Sequence, residues 1–243
     1  MVDFYEEKWE SEIADVIGDD YESYQEKIIK TAKISLIEKF FERIGKQSSI
    51  AEVGCGSGRV IAYFQSKNSI PEAMGFDISY RAIEFARKHH PGISFQVLDI
   101  DSNSIPLDKN AVDVMLLCDI VEHVNDYVHL LDECIRVSRH VIIKVPLEKT
   151  FMEFGQYVLG MPSVHNSTHP HGHIHLFSRR SILKQLDDVK KRYPVEVEVL
   201  HAKQVMRTKY SLVNEISRLL FAVPAYHWIF PTDMGILISK NET

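Results

Sequence analysis

Between residues 49 and 146 the chain repeats one pattern: a short apolar run, a turn, then a stretch with helical spacing. Runs such as "SIAEV" and "AVDVMLLCD" are apolar nearly throughout. That alternation is the signature of a parallel α/β sheet, whose strands are covered by helices on both faces. The pattern predicts a helix over 22–45 ended by Gly45, a strand at 49–53 and a helix from 58 to 67. "EAMGFDI", "ISFQVLDI", "AVDVMLLCD" and "RHVIIKVP" supply four more strands, with Pro146 closing the last. "YRAIEFARKHH", stopped by Pro91, and "HVNDYVHLLDECIRV" are the helices between them. A helix at "SRRSILKQLDDV", with Ser178 as N-cap, and strands at "VEVEVLHA" and "DMGILISK" complete the set. Two segments break the alternation, at 151–172 and 202–233. The second carries an amphipathic helix with Leu212, Val213, Ile216, Leu219 and Leu220. In open α/β sheets such insertions after late strands shape the pocket at the strands' carboxyl ends. Packing in a homodimer interface is the other reading of them.

Charge and cysteine usage narrow the function. The net charge is -6 and basic residues do not cluster, which argues against nucleic acid as the main partner. No apolar stretch is long enough for a membrane span, and the acidic N-terminus lacks the apolar core of a signal peptide. Cys55, Cys118 and Cys134 are odd in number and widely spaced, so neither a disulfide framework nor a cysteine zinc site is expected. A reduced, cytoplasmic setting follows.

Strand one runs into "GCGSG", with glycines at positions 54, 56 and 58. Three glycines in five positions mean that something approaches this backbone closely. A dinucleotide fingerprint places its third glycine three residues after the second, where this chain has Arg59. The charges around the turn are acidic: Glu52 before it, Asp77 ending strand two, Asp99 ending strand three. Pyrophosphate is poorly served there. A cationic ligand with a ribose diol is well served, because a carboxylate after strand two accepts both ribose hydroxyls.

Here the chain resembles the class I S-adenosylmethionine-dependent methyltransferases, over roughly residues 35–145 and more loosely to the C-terminus. "EVGCGSG" resembles their first motif, with Glu52, Gly54, Gly56 and Gly58; "GFDIS" the second, with Asp77 on the ribose and Ile78 flanking adenine; "LDI" the third, with Asp99 and Ile100 at the adenine. "LLCDIVEHV" resembles the segment after strand four in the small-molecule branch that includes ubiquinone-biosynthesis O-methyltransferases. The resemblance implies one domain over residues 1–243. It is a Rossmann-like, seven-stranded, mostly parallel sheet with an antiparallel last strand and helices on both faces. It implies S-adenosylmethionine as cofactor, Cys118 packed beside it and Tyr5 in an N-terminal lid. It also implies a small-molecule acceptor, most simply methylated at oxygen. A methyltransferase of the same fold acting on nitrogen or phosphate, and a nicotinamide-dependent oxidoreductase, are the alternatives.

Methyl transfer to a hydroxyl requires a positioned nucleophile and an acceptor for its proton. If a helix starts after strand four, Asp119, Glu122 and His123 share one face and make a candidate divalent-metal set. The related O-methyltransferases have a similar metal-associated segment. Otherwise His123 lines the acceptor pocket. Histidines also recur in "THPHGHIHLFS" at 169, 171, 173 and 175, where Pro170 and Gly172 favour a loop for the first half. His173 matches the recurring histidine of the relatives and is the first candidate base, with His175 second.

Overall fold

The computed structural model describes residues 6–7, 32–147, 173–201 and 232–241. Helix α1 (Ala32–Ile44) leads into β1 (Ser49–Val53), α2 (Arg59–Asn68), β2 (Glu72–Asp77), α3 (Tyr80–His89) and β3 (Ser94–Val97). Then come β4 (Val112–Cys118), α4 (Tyr127–Val137), β5 (Ser138–Leu147), α5 (Arg179–Arg192), β6 (Val195–His201) and β7 (Thr232–Lys240). The strands form one seven-stranded sheet in the order β3-β2-β1-β4-β5-β7-β6. Strands β1 to β5 pair in parallel, and β7 runs antiparallel to both β5 and β6. This is the expected mostly parallel sheet with a reversed last strand.

Two apolar layers sandwich the sheet, and β4 shows how one run of residues feeds both. Val114, Leu116 and Cys118 point to the layer built with Ile37 and Phe40 of α1, Phe64 of α2 and Ile83 of α3. Met115 and Leu117 point the other way, to Leu130 and Cys134 of α4 and Ile182 and Leu186 of α5. A strand covered on both faces has no solvated side, which is why its sequence is apolar without alternation.

The helix ends follow local chemistry. Gly45 closes α1 in a left-handed conformation, its amide bonded to the Phe41 carbonyl at 3.1 Å. Ser79 caps α3 through the Ala82 amide. Ser178 caps α5 as expected, in a reciprocal box with Ser181. Helix α4 starts later than its pattern suggests. Asp126 caps it through the His129 amide, 2.9 Å away, so residues 119–126 are turns and not its first coil. Strand β3 ends at Val97, which leaves Asp99 and Ile100 in the turn beyond it. The inserted segments at 151–172 and 202–231, with the expected amphipathic helix, lie outside the described residues, as do Tyr5, His169 and His171. Among the described residues no helix is long and apolar enough to cross a membrane.

Helix α1 lies flush on the reversed strand at Gly235. A Cβ there would stand 2.9 Å from the Phe40 ring. Gly235→Val should therefore destabilise the fold by about 1–3 kcal/mol, read from urea denaturation. The loss should shrink in a Phe40→Leu background, because the smaller side chain yields the space.

Candidate active site

The glycine turn is held from β2. The amides of Gly54 and Cys55 both donate to the Phe76 carbonyl, at 2.8 and 3.0 Å. The Gly56 amide donates to Asp77 Oδ2 at 2.8 Å, and the Ser79 amide to Asp77 Oδ1 at 2.9 Å. Gly54, Gly56 and Gly58 have φ of 72°, 52° and 77°, the left-handed region that side chains with a Cβ avoid. At two of these positions the close approach comes from the protein itself. A Cβ on Gly54 would meet Ile120 at 2.8 Å, and one on Gly58 would meet Phe95 at 2.6 Å.

Glu52 acts from beneath the turn. It is 1% exposed, and its Oε2 accepts from the Ile61 amide at 3.1 Å. Ile61 is the third residue of α2, and the N-cap Gly58 has no side chain to offer, so Glu52 supplies the missing cap. Burial pushes its carboxyl from 4.5 to about 8, against the pull of Lys33 and the Ile61 amide. Cys118, also buried, hydrogen-bonds to it.

Asp77 takes one loop amide on each oxygen, the Ile78 amide also bonds to it, and the carboxylate's two oxygens can accept more than these. Burial raises its pKa, the Ser79 and Gly56 amides oppose that, and Glu6 adds to the rise. Glu6 reaches this place from the N-terminal segment: its Oε1 accepts from the Tyr80 amide at 2.6 Å at the start of α3. Ile78 is half-buried next to Asp77. Asp99 organises its own turn, accepting from the Asp101 amide and the Ser102 hydroxyl. Ile100 is 7% exposed and packs into the α4/α5 layer.

Ile120, seated on Gly54, ties a second cluster to the turn. Asp119 begins it in a left-handed conformation, with φ 55°. Its carboxylate pairs with Lys33 of α1 and Lys144 of β5, and Lys144 also meets Asp233 of β7 at 2.7 Å. Burial alone would raise the Asp119 pKa, but the two ammonium groups outweigh it and hold the carboxyl below its usual range. Asp119, expected as a metal ligand, is thus committed to two lysines. It also lacks the helical face that was to align it with Glu122 and His123, because these residues lie in turns. Neither lysine was singled out from sequence. Lys144 carried a signal, a lone charge inside the apolar run "RHVIIKVP"; Lys33 carried none.

His173 takes the place intended for Asp119. The Glu122 carbonyl accepts from the amides of Ile174 (2.9 Å) and His175 (3.0 Å), which brings the segment after 172 against the turn after β4. The His123 and His173 rings meet edge-on with centroids 4.7 Å apart. One donor atom each of Glu122, His123 and His173 lies within 4.8 Å of the others. Glu122 is 1% exposed, and among the described residues neither of its oxygens has a hydrogen-bond partner. Burial and the nearby Asp119 charge raise its carboxyl to about 7. His175 turns elsewhere: its Nε2 lies 2.9 Å from the Val124 carbonyl, where it must donate, and its ring packs edge-on against Tyr127. That nitrogen is committed to the fold, which disfavours His175 as the base.

Because Glu52 titrates near 8 in the folded chain and near 4.5 when exposed, the folded state binds more protons between those values. Stability should therefore fall as pH rises from about 5 to about 8. Glu52→Gln keeps an acceptor for the Ile61 amide and removes the ionisation. Its melting temperature should rise relative to that of the unaltered chain across this window, by several degrees at the upper end. Parallel melting curves for the two proteins would contradict the buried, proton-holding role.

Comparison with known proteins gives a domain match and a set of like folds. Residues 51–140 match a family described as methyltransferase domain. A bifunctional methionine biosynthesis protein, MetXA/MetW, of Rhodopirellula baltica is 28% identical over 114 residues, covering 45% of this chain and 18% of that protein. A putative methyltransferase of Invertebrate iridescent virus 6 is 27% identical over 63 residues, 26% of this chain and 24% of that protein. The chain thus spans less than a quarter of the length of either relative. Among solved structures, a Haloferax volcanii complex of the Trm112 methyltransferase activator with a putative methyltransferase superposes with TM-score 0.60 and 16% identity. It covers 96% of this chain and 98% of the matched one. The plantazolicin methyltransferase BpumL, crystallised with a triazolic desmethylPZN analogue and SAH, gives 0.59 and 18%, covering 96% and 95%. The [4+2]-cyclase SpnF gives 0.58 and 13%, covering 87% and 81%, so the fold by itself does not define a reaction. Residues 51–140 thus match a methyltransferase domain, and the seven-stranded sheet with its reversed last strand is the Rossmann-like fold that these structures share.

Proposed function

We propose that the protein binds S-adenosylmethionine on the glycine turn and transfers its methyl group to a small-molecule acceptor, at oxygen. The observation that carries this reading is Asp77. Its carboxylate is anchored by the Gly56 and Ser79 amides on different oxygens, and a carboxylate has acceptor capacity beyond these for the ribose hydroxyls. The left-handed glycines let the turn close directly onto Ile120 and Phe95. Ile78 and Asp99 stand where the adenine would lie, next in order along the strand ends. Bound there, the cofactor supplies a methyl group already activated by a sulfonium. The work left to the protein is to place the acceptor in line and receive its proton.

The acceptor side is the cluster of Glu122, His123 and His173. Ile120 on Gly54 sets it beside the turn, so the acceptor and the methyl donor would share one end of the sheet. His173 remains the first candidate for receiving the proton and His123 the second. The nicotinamide reading is disfavoured by Arg59, which opens α2 where a dinucleotide fingerprint has its third glycine.

Asp77→Ala should weaken S-adenosylhomocysteine binding by about 100-fold or more, since two hydroxyls lose a charged acceptor at about 1.5–3 kcal/mol each. Unchanged affinity, measured by thermal shift over a ligand series, would overturn this placement of the cofactor. His173→Ala should retain that binding and slow turnover by roughly 10²–10⁴-fold once an acceptor is in hand.

A further inference from the structure

Two turns at the carboxyl end of the sheet are spanned by one side chain. The first follows β3, where Asp99 accepts from the Asp101 amide at 3.1 Å and from the Ser102 hydroxyl at 2.9 Å. The second follows β4 and ends at the N-cap of α4. Asp101 reaches from the first to the second. Its Oδ1 accepts from the Asn125 backbone amide at 2.9 Å, and its Oδ2 from the Asn125 side-chain amide at 2.8 Å. The Asp126 amide lies 3.4 Å from Oδ1. Two donors of one residue on the two oxygens of one carboxylate make a fork, which fixes orientation as well as distance. The cap of α4 does not require it, because Asp126 supplies that with its own side chain.

Beyond the fork the contacts continue. His175 Nε2 lies 2.9 Å from the Val124 carbonyl and 3.2 Å from the Asn125 carbonyl, so it donates to the same turn. The amides of Ile174 and His175 both donate to the Glu122 carbonyl. Tyr127 packs edge-on against His175 and against Phe177, which is buried in the core. The segment that carries His173 is thereby clipped along the turn after β4, and a shift of that turn takes His173 with it. On the other side the Leu98 amide donates to the Asp77 carbonyl at 2.8 Å, which ties the turn after β3 to the end of β2. One series of polar contacts and short chain links thus runs from Asp77 through Asp99, Asp101 and Asn125 to His175.

We propose that Asp101 is a positioning residue that carries the placement of the cofactor's adenine turn across to the segment bearing His173. The inference rests on the methyltransferase reading for what occupies the adenine side. With adenine against Asp99 and Ile100, the turn after β3 loses freedom, and the fork passes that constraint to Asn125. The turn after β4 and the clipped segment then settle into one arrangement, with the proton-receiving histidine in place for the acceptor. Coupling of this kind needs no large movement, since order gained at one site lowers what the second has still to lose. It is also reciprocal: order in the histidine segment raises cofactor affinity by the factor that the cofactor orders the segment. Asp101 is half-buried and Asn125 exposed, so water can serve their polar groups once the fork is cut. Cutting it therefore loosens the placement and spares the fold.

The test is hydrogen exchange on the full chain, read by peptide mass spectrometry with and without saturating S-adenosylhomocysteine. The Ile174 and His175 amides, both bonded to the Glu122 carbonyl, are the reporters. In the unaltered chain the ligand should slow their exchange by about fivefold or more. Asp101→Ala should still bind the ligand, seen as a thermal shift, and the slowing should vanish. Asp101→Asn keeps the side chain's shape and should lose the slowing too, because it sets an amide donor against the Asn125 side-chain amide. Combining Asp101→Asn with Asn125→Asp reverses the fork and should restore the slowing, which a merely structural role for either residue does not do. Binding without slowing in the unaltered chain, equal slowing in Asp101→Ala, or no recovery in the exchanged pair would each overturn the inference and leave the methyltransferase reading standing. No thermal shift with the unaltered chain would overturn that reading, and the inference with it.

Discussion

Everything at the carboxyl end of the sheet depends on β2 gripping the glycine turn. Two amides on the Phe76 carbonyl and one on Asp77 fix a backbone that would otherwise be among the most mobile in the chain. Glu52 completes the grip from below by capping α2, so the turn is anchored at its start, its middle and its exit. A glycine-rich loop pays a high entropic cost to be ordered. Here that cost is offset by buried hydrogen bonds, and the outcome is a rigid surface of left-handed glycines. The Asp77 that orders the loop is also the side chain proposed to meet the ribose, so in that reading shaping the site and binding at it fall to one side chain.

The second half of the site is built on the first. Ile120 fills the space that a Cβ on Gly54 would occupy. The turn after β4 therefore cannot shift without disturbing the glycines. Asp119, strained and clamped by Lys33 and Lys144, ties that turn to α1, β5 and, through Asp233, to β7. Strain of this kind persists only where the surroundings over-determine it, which is characteristic of functional sites. Its local result is that Glu122 is buried against two histidines and, among the described residues, has no hydrogen-bond partner on its carboxylate.

Much of this was legible in the sequence wherever the cause was local. The glycine spacing, the acid ending strand two, the stop at Gly45 and the cap at Ser178 are each decided within a few residues. The α/β layering followed from apolar runs without alternation, and the reversed last strand from the family resemblance. The turn after β4 misled because Asp119, Glu122 and His123 have helical spacing. Asp126 wins as N-cap by offering its side chain to the His129 amide, and the helix begins after them. The pairing of Glu122 with His173, and of Asp119 with Lys33, joins residues far apart in the chain through the meeting of strand ends. No local spacing encodes that. Lys144 lay in plain view as a charge inside a buried strand and was the available hint of a buried partner.

The central claim is that this turn holds S-adenosylmethionine, and calorimetric titration of the purified chain tests it most directly. S-adenosylmethionine and S-adenosylhomocysteine are titrated first, and NADH under the same conditions. The account predicts micromolar, one-to-one binding of both sulfur ligands and no heat from NADH. Binding of NADH, or silence from all three, would contradict it.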